Sequence, residues 1–227
     1  MADDADHADE HDGEHDGEAN AKLIAAKERW AREARGLTGA PGIDRLPPGQ
    51  HRTEGWPVLD LGILPRVDRG NWQLIVDGLV KNPLTWRWDD LQAQPVFHHV
   101  SDIHCVTSWS RYDNRWEGVS AKHLLSVVRP LAEARFVLFH AADGYSTNLP
   151  LSVFDDGDVL LATTWEGEPI DRDHGGPVRV VVPKRYFWKS AKWVKRIEFL
   201  AEDRRGYWET RGYHNAGDPW REERYGE

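Results

Sequence analysis

The stretch "HGGPVRVVVPKRYFWKSAKWVKRIEFLA", residues 174–201, decides what kind of fold this chain takes. Two runs in it, "PVRVVVP" and "VKRIEFLA", are short, rich in β-branched residues and bounded by turn formers, which marks them as strands. Six cations, Lys184, Arg185, Lys189, Lys192, Lys195 and Arg196, fall within thirteen residues and interleave with Tyr186, Phe187, Trp188 and Trp193. Cations hold phosphate and aromatic rings cover a flat ring system, so the segment suits an anionic, planar ligand. Ser190 adds a neutral donor for phosphate oxygens. Upstream, His174 and Arg179 flank Gly175 and Gly176, two residues that permit a close backbone approach. A solvated basic edge strand would carry many of the same lysines.

Working outward, "NWQLIVDG", "FVLFHAA" and "DVLLATTW" read as further strands. One clear helix interrupts them: Ser120 caps "AKHLLSVVR", Ala121, Leu124, Leu125 and Val128 share a face, and Pro130 stops it. A short helix is expected around "WDDLQA". The strands are spaced too irregularly for a sandwich or a βαβ series, so the expected class is α+β, mostly mixed β-sheet, in a single domain over residues 37–227. Its opening stretch, residues 37–57, holds Pro41, Pro47 and Pro48 and reads as an extended connector. Before it, residues 19–36 read as a helix ending at Gly36, and residues 1–18 as a disordered acidic tail containing His7, His11 and His15.

Charge excludes one class of partner. Of 38 acids, nine lie in residues 1–18, leaving 29 acids against 29 Lys and Arg elsewhere. A neutral body without a dense basic run argues against nucleic acid held through phosphates. A lone cysteine excludes a disulfide scaffold and fits a reducing compartment. With no signal-peptide pattern and no long apolar run, a cytoplasmic protein that does not enter a membrane is expected. Most of the 12 tryptophans are expected in the core, with Trp109 and Trp188, beside polar clusters, the two suited to wall a cleft.

The lone cysteine, Cys105, sits in "SDIHCVTSWSRYDNRW" between His104 and Thr107. It reads as a core filler, as a nucleophile served by His104, His140 or His174, or as a soft-metal ligand whose partners come from a cofactor. Zinc is disfavoured, because no second cysteine or paired histidines follow at the right spacing. A third cluster, "ADGYSTNLPLSVF", turns at Gly144 and gathers Tyr145, Ser146, Thr147 and Asn148 onto a loop. These side chains make the turn, or the tyrosine relays a proton near a redox centre.

Taken in order, "IHCVTSWS", "GYSTNLP" and "HGGPVRVVVP…KSAKWVKRIE" resemble the molybdopterin domain of the sulfite oxidase family, most of all its bacterial single-domain branch. The likeness extends from Pro47 to Gly226 and includes "LPPGQ", "GWPVLDLG" and "YWETRGYHNAGDPW". It implies a molybdenum-molybdopterin oxidoreductase working by two-electron oxygen-atom transfer on a small-molecule substrate. Cys105 is then the metal's thiolate ligand, beside the pterin's dithiolene sulfurs and terminal oxo groups. Lys189, Ser190 and Lys192 would hold the pterin pyrophosphate, His174 and Arg179 would contact the cofactor, and Thr147 and Asn148 would join them. Tyr145, Trp109 and Arg111 would face the substrate. With no haem domain in this chain, a separate haem, flavin or iron–sulfur protein would exchange the electrons. Two departures stand out: Thr53–Val58 replaces an Arg-Asn-His segment of sulfite oxidases, and "VTSWSRYD" replaces their "AGNRR" after the cysteine. Sulfite is therefore not the expected substrate, although Arg52 or Arg111 would be the substitutes for the missing arginines.

Overall fold

A computed structural model describes Arg45–Gly226. The expected acidic tail and N-terminal helix lie outside the described residues. Within them, strands β1 (His51–Arg52), β2 (Gln73–Gly78), β3 (Leu84–Arg87), β4 (Phe97–His104) and β5 (Trp109–Ser120) come first. Next are β6 (Phe136–Ala141), β7 (Ser146–Pro150), β8 (Leu160–Trp165), β9 (Glu168–Pro169), β10 (Arg179–Val181) and β11 (Val194–Leu200). Helices α1 (Trp88–Gln92), α2 (Ala121–Val128) and α3 (Leu151–Phe154) are short. The described residues thus form an α+β fold with two mixed sheets, ordered β1-β5-β8-β10 and β3-β2-β11-β6-β7, with β4 and β9 added to the first.

The two strands of the opening stretch are divided between the sheets. Arg179–Val181 pairs antiparallel with β8, while Val194–Leu200 lies between β2 and β6 at the centre of the second sheet. The basic-aromatic segment between them therefore bridges the sheets. One buried cluster spans both, taking Val76, Phe139 and Phe199 from one sheet and Ile103, Trp116 and Leu161 from the other. Helix α2 caps as expected: Ser120 Oγ accepts from the His123 amide, and Arg129 closes the helix in a left-handed conformation.

Two elements differ from the sequence reading. Tyr145–Asn148, expected as a loop, runs into strand β7, which pairs antiparallel with β6 from Ser146↔His140 to Pro150↔Phe136. Ladder bonding to an apolar neighbour outweighs the turn preference of Ser146 and Asn148. The long hairpin β4–β5 has no counterpart among the strands read from the sequence. Its polar content, "FHHVSDIH", hides the strand, and its four-residue connection, Cys105–Ser108, contains no Gly, Pro or Asn. Ser108 supplies the turn instead, at φ 74°.

Gly118 lies where β5 meets β8 at a register shift. A Cβ there would land on the carbonyl oxygen of Leu161, a backbone atom of the paired strand that has nowhere to move. Gly118→Ala is expected to cost about 1–3 kcal/mol, the scale of overpacking, read as a lower melting temperature.

Candidate active site

The β4–β5 turn carries Cys105 to the wall of a cavity with about 740 Å³ of free space counted out to its mouth. The turn is tight: the Cys105 amide donates to Trp109 O (2.8 Å) and the Ser108 amide to Cys105 O (2.9 Å). Cys105 is buried, 6 % exposed, and its sulfur accepts a hydrogen bond from Thr107 Oγ1 at 3.1 Å. Trp109, the first residue of β5, lines the same cavity. Its indole Nε1 is buried and has no partner among the described residues.

The opposite wall comes from the basic-aromatic segment and the strand before it. Arg179, Phe187, Trp188, Ser190, Lys192 and Trp193 all line the cavity. Arg179 is 2 % exposed and donates to three carbonyls: His174 (2.6 Å), Ser190 (3.0 Å) and Val180 (3.4 Å). Its guanidinium lies over the rings of Phe187 (4.3 Å) and Trp56 (5.2 Å). Among the described residues no carboxylate is within ion-pair distance of it. Burial pushes its pKa down to about 9, with Asp171 opposing, so it remains cationic at neutral pH. An uncompensated buried cation in a cavity wall is a receptor for negative charge. Lys192 adds a second charge at the rim, donating to Asp173 O at 2.6 Å.

His174 stacks on Trp56 with ring centroids 4.0 Å apart. Its Nδ1 faces the Asp171 carboxylate (2.8 Å) and its Nε2 the Trp56 carbonyl (3.0 Å), which fixes the ring at the cavity edge. The close approach that Gly175 and Gly176 permit is internal: a Cβ on Gly175 would sit 2.7 Å from Lys192 Cβ, and one on Gly176 would strike the Ile170 carbonyl. Tyr145 lines the cavity with its hydroxyl donating to Trp188 O at 2.6 Å. Burial, reinforced by Glu209, raises its pKa well above the usual phenol value, so the group stays protonated.

Cys105, Trp109, Tyr145, His174, Arg179, Ser190 and Lys192 are thus brought to one cavity. Five others from the sequence reading are not on its wall. Lys189 is fully buried behind Trp188, paired with Glu209 at 2.7 Å and bonded to Asn148. Thr147 donates to the same Glu209 at 2.8 Å, and Asn148 joins Asp203 and Asn215. Arg111 turns toward Asn114 and Glu166 and covers Trp165 at 4.6 Å. Arg52 is exposed and pairs loosely with Glu54 at 3.7 Å. Sequence reasoning missed Trp56, Asp60 and Asp143 on the wall, and the buried Glu209 behind it. Trp56 had a signal in "GWPVLDLG", where Pro57 holds it extended. Nothing in the sequence marks Glu209.

The fold and the cavity define a molybdopterin-binding domain of the sulfite oxidase type. Residues 61–208 match the oxidoreductase molybdopterin binding domain family. The chain belongs to that family and is a molybdopterin-dependent oxidoreductase. It is 45 % identical over 182 residues to the uncharacterized oxidoreductase YuiH of Bacillus subtilis, covering 80 % of this chain and 92 % of that protein. It is 29 % identical over 163 residues to the protein-methionine-sulfoxide reductase catalytic subunit MsrP of Campylobacter jejuni, covering 62 % of this chain and 52 % of MsrP. A chain of the sulfane dehydrogenase SoxCD from Paracoccus pantotrophus shares the fold at a TM-score of 0.57 and 23 % identity, over 61 % of this chain and 40 % of that one.

The residues present fit the cofactor. A pterin dithiolene with its phosphate is flat, anionic and sulfur-rich; the cavity offers aromatic faces, a buried guanidinium without a carboxylate partner among the described residues, and one thiol. No three His, Cys, Asp or Glu side chains among the described residues converge as a metal cage.

Proposed function

We propose that Cys105 is the protein ligand to molybdenum and that the chain catalyses a two-electron conversion of a small molecule by oxygen-atom transfer. The observation that carries this reading is one cavity shared by the lone thiol and the uncompensated Arg179. A single cysteine suffices where the cofactor brings the remaining metal ligands. When bound, the cofactor supplies the two-electron redox chemistry.

The chain's own residues bind and orient. Arg179 and Lys192 hold the anionic end, and Trp56, stacked on His174, gives the ring system a rigid aromatic face. The buried indole N–H of Trp109 donates to an oxygen that a bound ligand brings. Tyr145, protonated and tied to the Trp188 carbonyl, closes the wall against water. Neither Arg52 nor Arg111 lines the cavity, whereas Pro57, Leu59 and Leu61 do. This favours a neutral oxide attached to an apolar group over a small oxyanion such as sulfite. The similarity to MsrP, named as a methionine-sulfoxide reductase catalytic subunit, agrees with that preference. Electrons are proposed to pass to or from a separate redox protein.

Protein from a cofactor-competent host is expected to hold near-stoichiometric molybdenum and to release a fluorescent pterin on denaturation. Folded protein from such a host with neither would sink the reading and leave a metal-free thiol enzyme or a binding module on the same fold.

A further inference from the structure

Arg224, three residues from the end of the chain, is 5 % exposed and reaches back to the turn that bears Cys105. Its Nη1 donates to Val106 O (2.5 Å) and Ser108 Oγ (3.0 Å), and its Nη2 to Gly49 O (3.3 Å). Gln50 grips the turn from the other end of the domain. Its Nε2 donates to Cys105 O at 3.1 Å, its Oε1 accepts from Ser110 Oγ at 3.1 Å, and the neighbouring His51 amide donates to Ser108 O at 2.8 Å. Each residue of the turn but Thr107 is thus held through a carbonyl or hydroxyl by one of two buried side chains or by the backbone beside them.

The charge of Arg224 is poorly compensated. Its Nε has no partner among the described residues, and the nearest carboxylate there, the half-exposed Glu222, is 4.0 Å away. The guanidinium lies 5.1 Å over the buried ring of Tyr186. Carbonyls and a hydroxyl satisfy hydrogen bonds but bring no counter-charge, and a buried guanidinium is costly without one. A thiolate bound to an anionic metal centre on the same turn would supply it.

We infer that Arg224 is a positioning residue for Cys105: it fixes the turn that presents the sulfur to the cavity and sets a positive charge behind it. This rests on the reading of Cys105 as the molybdenum ligand and adds to it a control on the metal's potential. A positive charge near a redox centre favours the reduced state, which carries one more electron, so its removal lowers the reduction potential.

The test compares Arg224→Gln, Arg224→Lys, Ser108→Ala and Cys105→Ser in the full, molybdenum-loaded chain. The readouts are the Mo(V) electron paramagnetic resonance spectrum and the Mo(VI)/Mo(V) midpoint potential. Arg224→Gln is expected to lower the potential and alter the g-values. Arg224→Lys, keeping the charge but not the two-pronged grip, is expected to restore the potential while leaving the g-values altered. A merely structural arginine would lower the melting temperature in both variants and leave the potential where it was, which overturns the inference. Should Arg224→Gln not load metal, Ser108→Ala decides. It removes one acceptor of the grip, and a wild-type spectrum there overturns the inference equally. Cys105→Ser keeps the two ideas apart: an unchanged spectrum sinks the ligand reading, whereas a changed one with wild-type behaviour in the other variants sinks only the role of Arg224.

Discussion

Cys105→Ser leaves a folded protein whose turnover falls by at least about a hundredfold, the upper end of losses for groups one step further from a metal. The substitution is nearly isosteric, and the turn is held through backbone groups: Gln50 bonds the Cys105 carbonyl and Arg224 the Val106 carbonyl, neither of them the sulfur. Stability should therefore change little. The serine hydroxyl is a far weaker acid than the thiol and its oxygen a harder donor, so it does not replace a thiolate on a soft metal. The measurement is turnover by the loaded enzyme, with a reduced dye as electron source and a panel of S- and N-oxides, compared at equal circular dichroism and melting temperature. Wild-type turnover by Cys105→Ser would exclude the sulfur as metal ligand. A thiol enzyme loses activity on this change too, so the nucleophile reading is separated by the metal: its Cys105→Ser variant keeps the wild-type Mo(V) spectrum, or holds no molybdenum in either form.

How far the site was legible depended on what each residue answers to. Strands of β-branched residues bounded by turn formers, such as Leu160–Trp165 and Val194–Leu200, follow local rules and were readable. The helix at Ala121–Val128 was readable for the same reason, since Ser120 and Pro130 punctuate it. The β4–β5 hairpin was not, because its strands are rich in polar residues and its turn relies on Ser108 in a left-handed conformation that nothing in "HCVTSW" announces. Lys189 shows the limit most sharply. From composition it is one of six clustered cations, equivalent to Lys192. Three-dimensional context separates them, placing Lys192 at the cavity rim and Lys189 against a glutamate twenty residues further on. No spacing rule connects those two positions, so one half of a buried ion pair was read among the residues that hold the pterin pyrophosphate. Trp188 was correctly marked as a cleft wall, yet what fixes its indole, the bond from Nε1 to Glu209 at 3.0 Å, was invisible for the same reason.

That ion pair yields the largest expected effect on stability. Both side chains are 0 % exposed, and one oxygen, Glu209 Oε1, accepts from Lys189 Nζ (2.7 Å), Thr147 Oγ1 (2.8 Å) and Trp188 Nε1 (3.0 Å). Burial pushes the Lys189 pKa down and the Glu209 charge opposes this, so the ammonium depends on its partner to remain charged. Lys189→Met leaves an uncompensated carboxylate in the core, and Glu209→Gln leaves an uncompensated ammonium. Each is expected to cost about 3–5 kcal/mol, or roughly 6–20 °C in melting temperature for a domain of this size. The double variant Lys189→Met/Glu209→Gln removes both charges together. The glutamine oxygen still accepts from Thr147 and Trp188, and the methionine fills the space of the lysine stem. What is lost is the ion pair itself and the two bonds from Lys189 to Asn148 O and Oδ1. The double variant should therefore be more stable than either single one, a coupling that a double-mutant cycle measures directly. Losses that simply add would mean that neither side chain depends on the other's charge. Because Trp188 forms a cavity wall while its carbonyl holds Tyr145, the cycle also reports on the site. Each single variant should release more pterin on dialysis than the double one, since only the double variant keeps the indole anchored without a stray buried charge beside it.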